Sequence, residues 1–142
     1  MLNENFKVTG QVTIQKNGEV VRDIPNTIVT AGKNNIASLI TDAGSKMTHM
    51  AVGTGTTSVA AGNTALVTET DRNALSVSGG APSSNTIVYT AVWAAGDGTG
   101  ALTEAGLFSA SSSGTMMART VFSAVNKAAG DILTITWTVT IS

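Results

Sequence analysis

The chain has 142 residues, of which 12% are charged, a net charge of −1 and no cysteine. That length suits a single domain spanning residues 1–142 with a core of its own. The missing cysteine excludes disulfides and thiolate metal sites, and the near-neutral balance gives no basic footprint for nucleic acid.

No apolar run approaches the ~20 residues that a membrane-spanning helix requires, and residues 1–10 are polar and alternating, unlike a leader peptide. Neither a membrane nor nucleic acid is therefore an expected partner. The charged fraction is about half the usual ~25%, and two explanations stand side by side: hydroxyl-rich strand faces that solvate themselves, or a surface that other subunits cover.

In chain order, Phe6, Val8, Val12 and Ile14 share one parity and polar residues the other, the mark of a half-buried strand. Asn17-Gly18 suits a type I′ turn, after which residues 19–24 return as a second strand with Ile14 facing Val21, and Pro25 ends the ladder. The period then changes. Ile36, Leu39 and Ile40 fall at helical spacing, predicting one short helix at about 31–42. Thr30 is its expected cap, Gly44 its expected stop and Gly32 a weakness in its first turn. Its narrow apolar stripe is expected to lie against the sheet or to close one end of it.

Residues 49–52 read as a short strand and 53–63 as a loop. Residues 64–75 are ambiguous, with Glu69, Asp71 and Arg72 suggesting an exposed edge or a contact. A second Gly/Ser/Pro loop occupies 76–85. Residues 86–94 form a strand apolar on both faces, hence a central one. Glycines turn the chain at 96–100, residues 101–109 and 115–123 form a hairpin, and 125–130 link to the last strand. That strand, 133–141, alternates large apolar residues with threonine without a break, so Leu133, Ile135, Trp137, Val139 and Ile141 share one side. The expected fold is mainly β, an antiparallel sandwich or barrel of about seven strands with one helix.

Reactive constellations are hard to assemble from these residues. His49 is the only histidine, which leaves no His-based metal cage and no Cys/His nucleophile pair. Gly53-Thr54-Gly55 and Gly96-Asp97-Gly98-Thr99-Gly100 look like phosphate loops, but neither has the following helix or the lysine, and both read as tight turns. Asp97 and Glu104 lack the ligand series of a calcium site. The nine acidic residues are dispersed and no Gly-x-Ser-x-Gly elbow occurs. Trp93, Trp137 and Tyr89 fall in strands and suit a core better than a sugar-stacking platform. No catalytic, cofactor-binding or metal-binding residue is assigned, and an enzyme is not expected. One structural pair stands out. If Ala110 faces Ser113 in the hairpin, Glu104 falls opposite Arg119, Leu102 opposite Val121 and Gly106 opposite Met117. An ion pair within an apolar patch would then fix the register.

Several phrases carry a resemblance. They are Met50-Ala51-Val52-Gly53-Thr54-Gly55-Thr56, Gly96-Asp97-Gly98-Thr99-Gly100, Thr103-Glu104-Ala105-Gly106-Leu107-Phe108 and Met117-Ala118-Arg119-Thr120-Val121-Phe122, followed by Lys127, Gly130-Asp131 and the threonine-rich last strand. This part of the chain resembles a recurrent module of tailed-bacteriophage structural proteins, found in tail-collar and tail-fibre proteins and in small virion proteins. The resemblance implies no catalytic residues. Shaft repeats and heptads are missing from these 142 residues, and a stand-alone domain suits a capsid decoration (cement) protein. Such a subunit would bind as a homotrimer to the major capsid protein, over junctions between capsomers, in a virion assembled in the bacterial cytoplasm. The alternative is a tail or neck component, such as a collar, adaptor or fibre-attachment subunit. The first strand from Met1 and the loops 53–63 and 76–85 are the segments expected to reach neighbours.

Overall fold

A computed structural model describes residues 5–142, so the expected start of the first strand at Met1 lies outside the described residues. Ten strands and one helix follow one another as β1 (Val8–Lys16), β2 (Glu19–Pro25), β3 (Thr27–Ile28), α1 (Thr30–Ile40), β4 (His49–Gly53), β5 (Glu69–Ala74), β6 (Ala81–Ser83), β7 (Thr86–Trp93), β8 (Gly100–Phe108), β9 (Met116–Lys127) and β10 (Leu133–Ile141). They form two antiparallel five-stranded sheets, ordered β2-β1-β10-β7-β6 and β3-β9-β8-β4-β5. The arrangement is a sandwich rather than a closed barrel, with ten strands rather than seven. Three strands are additional: β3 has two residues, β5 makes an edge of the ambiguous 64–75 stretch, and β6 turns part of the expected 76–85 loop into another edge.

The alternation of β10 explains its position. Leu133, Ile135, Trp137 and Val139 are buried, while the threonines between them face outward. Flanked by β1 and β7, β10 builds continuous inward rows, Val12–Trp137–Tyr89 and Ile14–Ile135–Ala91. Met50, Val52, Leu102, Ala105 and Leu107 of the second sheet join them in one core. Full burial of each large aliphatic side chain contributes roughly 1.5–3 kcal/mol. β7 is internal to its sheet as expected, but only one of its faces is buried. Tyr89, Ala91 and Trp93 point inward, whereas Val92 on the other face is exposed.

Asn17 and Gly18 take positive φ, 53° and 80°, as the expected turn requires. The register beyond it differs. An irregularity after Ile14 places Arg22, not Val21, opposite Ile14. The shifted Arg22 reaches the second sheet, donating from Nε to the Ser123 carbonyl (3.1 Å) and from Nη2 to that of Ala124 (2.9 Å). Lys16 Nζ donates to the Asn126 carbonyl (3.2 Å) in the same way. These side chains occupy β9 carbonyls beyond the short pairing with β3, a device that discourages strand addition there. β9 itself runs through Lys127, absorbing residues expected in the link, because a bulge near Leu102/Glu104 resets the pairing so that Leu102 meets Val125.

α1 covers nearly the expected residues, with its N-cap one residue and its C-cap three residues ahead of those expected. Val29, not Thr30, is the N-cap, and the Thr30 N–H donates to the Ala61 carbonyl (2.8 Å). The helix stops at Ile40 with Thr41 as C-cap, ahead of Gly44. Asn35 causes the early stop: its Nδ2 donates to the Ser45 carbonyl (2.7 Å) and its Oδ1 accepts the Ser45 N–H (2.9 Å), folding residues 41–45 back over the helix. Gly32 is a point of close approach, since a Cβ there would collide with the Met117 carbonyl. The apolar stripe does not lie against the sheet along its length. Ile36 is half-buried, but Leu39 is 43% and Ile40 84% exposed.

Candidate functional site

The β8–β9 hairpin holds the one buried ion pair among the described residues. Arg119 Nη2 lies 2.8 Å from Glu104 Oε2, and neither side chain is exposed. The sequence therefore identified the pair, but not the register. Glu104 faces Val121 and Gly106 faces Arg119, so the ion pair is diagonal across the hairpin. Two shifts produce the offset: the turn closes between Ser109 and Thr115 rather than between Ala110 and Ser113, and an irregularity at Leu107/Phe108 moves the pairing one residue further. The Ser109 N–H donates to the Thr115 carbonyl (3.1 Å), and the Thr115 N–H to Ser109 Oγ (2.8 Å).

The direct partners of the pair are polar, while apolar side chains lie beside it. Residues 54–68 cross the outer face of the second sheet as a strap, and the ion pair is what they grip. Glu104 Oε1 accepts the N–H of Gly55 (3.0 Å) and of Thr68 (2.7 Å), while Oε2 accepts that of Val67 (3.0 Å). Arg119 donates from Nη1 to Asn63 Oδ1 (3.1 Å) and from Nη2 to the Thr57 carbonyl (3.0 Å). Thr103 Oγ1 adds a bond to the Gly55 carbonyl (2.7 Å). Burial raises the pKa of Glu104, yet the Thr68 N–H, the Arg119 guanidinium and the N–H groups of Val67 and Gly55 outweigh it and hold the carboxyl below its ordinary value.

Gly53-Thr54-Gly55 serves this carboxylate rather than making a simple tight turn. A Cβ at Gly55 would stand 2.5 Å from Glu104 Oε1, and one at Gly53 2.7 Å from the same atom. Only glycine lets the backbone come that near. Beside the pair, Val29, Ala51, Leu66, Phe108 and Met116 form a small apolar cluster under the strap. The 53–63 loop, expected to reach neighbours, is thus folded onto its own sheet.

The other candidates are scattered. His49 opens β4 with Nδ1 2.8 Å from Thr48 Oγ1. Asp97 is exposed in the glycine turn, apart from the buried Glu104 with which it was paired in the calcium reading. Among the described residues no group of three His, Cys, Asp or Glu gathers. Trp93 and Trp137 are fully buried and Tyr89 nearly so, which leaves no aromatic platform there. Glu69 and Arg72 pair at 2.6 Å on the edge strand β5, and the Arg72 guanidinium lies 3.8 Å over the Phe108 ring.

A surface feature escaped the sequence reading. At one end of the sandwich, Phe6 (71% exposed), Val8, Ile36 and Ile40 line an open cleft of about 530 Å³ whose charged residues are Lys7 and Lys33. A second cleft of about 350 Å³ shares Val8, Ile36 and Ile40 and adds Leu39, Ile87 and Ile141. Helical spacing marked Ile36, Leu39 and Ile40 as one stripe, and closing one end of the sheet was one of the two placements expected for it, but the spacing did not show that Leu39 and Ile40 would be left uncovered. Comparison of the chain with protein families, with curated proteins and with solved structures found no match.

Proposed function

We propose that this chain is a virion structural protein of a tailed bacteriophage, a capsid decoration subunit that binds as a homotrimer over capsomer junctions and stabilises the shell. The observation that carries the reading is the convergence of three separate phrases at one point. Gly53 and Gly55 from the first, Glu104 and Gly106 from the second and Arg119 from the third meet at the buried pair under the strap. Glycine turns occur in many unrelated proteins, whereas three phrases tied together by one carboxylate act as a unit, which strengthens the phage resemblance they carry.

The apolar end around Phe6, Ile36 and Ile40 supports a role in docking, because side chains of this size left in water favour coverage by another subunit. Its two lysines call for a shell surface that is apolar with acidic groups opposite them. Symmetric repetition turns many modest contacts of this kind into firm attachment.

Copy number tests the proposal. Quantitative mass spectrometry of purified virions should find the protein at on the order of hundreds of copies per particle, as repetition over a closed shell requires. A count near a dozen would move it to the tail or neck, and its absence from the particle would overturn the virion reading.

A further inference from the structure

The strap over the second sheet is held in an unusual way. Of residues 54–68, only Gly55 and Leu66 are buried, so the apolar hold on the segment is little more than one leucine. The polar hold, by contrast, converges on two side chains. Glu104 takes three backbone N–H groups at both ends of the strap, and Arg119 takes Asn63 Oδ1 and the Thr57 carbonyl near its middle. The base is closed by the Thr54 N–H on the Thr68 carbonyl (2.9 Å), and the far end receives the Thr30 N–H of α1 at Ala61.

We propose that residues 54–68 form a latched strap that opens as a unit without unfolding the sandwich, with the Glu104–Arg119 pair as the latch and protonation of Glu104 as its release. The inference stands on this geometry and does not depend on the virion reading. Neutralising Glu104 weakens three N–H acceptor contacts at once and leaves Arg119 buried without its counter-charge, and water reaches the guanidinium most directly by lifting the strap. The core between the sheets contributes nothing to the strap's attachment, because the two apolar clusters are separate. Opening uncovers Ala51, Phe108 and Met116 and frees the first N–H of α1.

Glu104 is the titratable group on which this device turns. From β9 Arg119 reaches it diagonally; residues 54–68 contain no ionisable side chain; in β4 the single ionisable group, His49, pairs opposite Phe108 at the other end of β8. On β5, Glu69 and Arg72 satisfy each other. The burial of the pair and the lowered pKa of Glu104 mean that the latch holds at neutral pH and yields only in acid.

Amide hydrogen exchange tests this, read as protection factors that divide out the intrinsic pH dependence of exchange. At neutral pH, Glu104→Gln should lower the protection of the Gly55, Val67, Thr68 and Thr30 amides by about tenfold or more relative to that of β1, β7 and β10. The unaltered protein should lose protection at the same four amides when acidified below the ordinary carboxylate range, and regain it on return to neutral pH. Leu66→Ala, which weakens the apolar anchor without touching the latch, should also loosen the strap alone. Strap amides that open in step with β10 in acid, or that stay protected there, would overturn the proposal. Should Glu104→Gln fail to fold, the acid series on the unaltered protein decides.

Discussion

Glu104 and Arg119 concentrate what one pair of side chains can do for this fold. Each is cut off from water, and each is satisfied by the other and by the backbone of a segment distant in sequence. Replacing Glu104 by Ala should therefore destabilise the protein by roughly 3–5 kcal/mol, because the lost carboxylate leaves a buried guanidinium and three N–H groups behind. The pH dependence follows from the lowered pKa. A carboxyl held below its ordinary value near 4.5 in the folded chain stabilises it fully above that value, and this stabilisation disappears as pH falls through the lower folded-state value. Melting temperatures measured from neutral to acid should drop more steeply for the unaltered protein than for Glu104→Ala, and equal slopes would contradict the assignment. The pair was legible in the sequence because opposite charges on facing strands of one hairpin are a local pattern. Its diagonal register was not, since that depends on Ser109 Oγ closing the turn with Thr115 and on the irregularity at Leu107/Phe108.

Among the elements, the strap shows how glycine placement is dictated by what lies across a gap. Gly55→Ala puts a methyl group at 2.5 Å from Glu104 Oε1 and 2.6 Å from the Val67 Cβ, so either the carboxylate or the strap must move. Its unfolding free energy should fall by several kcal/mol, close to that of Glu104→Ala, and combining the two substitutions should cost clearly less than their sum because both break one contact. Additive losses in a double-mutant cycle would show that Gly55 acts elsewhere. β10 was readable from sequence alone, its five apolar residues and four threonines forming an uninterrupted period of two. α1 was readable in existence and approximate extent, but its ends were set by Asn35 binding Ser45 and by Ala61 receiving Thr30, contacts from residues outside the helical pattern. The 53–63 segment looked like a free loop for a similar reason: its partners lie on two strands some 40 to 60 residues onward in the chain.

Across the whole molecule, the mainly β sandwich was legible because alternation and turn residues are local signals. The count of ten strands was not, since β3, β5 and β6 are set by the neighbours they pair with, β9, β4 and β7. The exposed end around α1 belongs to this scale as well, because no window of sequence shows which face of a helix the two sheets leave uncovered. Ile40 is 84% exposed, so Ile40→Asp should change the stability of the isolated protein by no more than about 0.5 kcal/mol. On the proposed capsid surface it should matter far more, because burying a side chain of that size contributes roughly 1.5–3 kcal/mol, equivalent to about tenfold or more in affinity. Sedimentation of the purified protein with shells that lack it measures this directly. The unaltered protein should co-sediment to saturation and Ile40→Asp should bind at least about tenfold more weakly; failure of the unaltered protein to bind, or equal binding by both, would contradict the docking role.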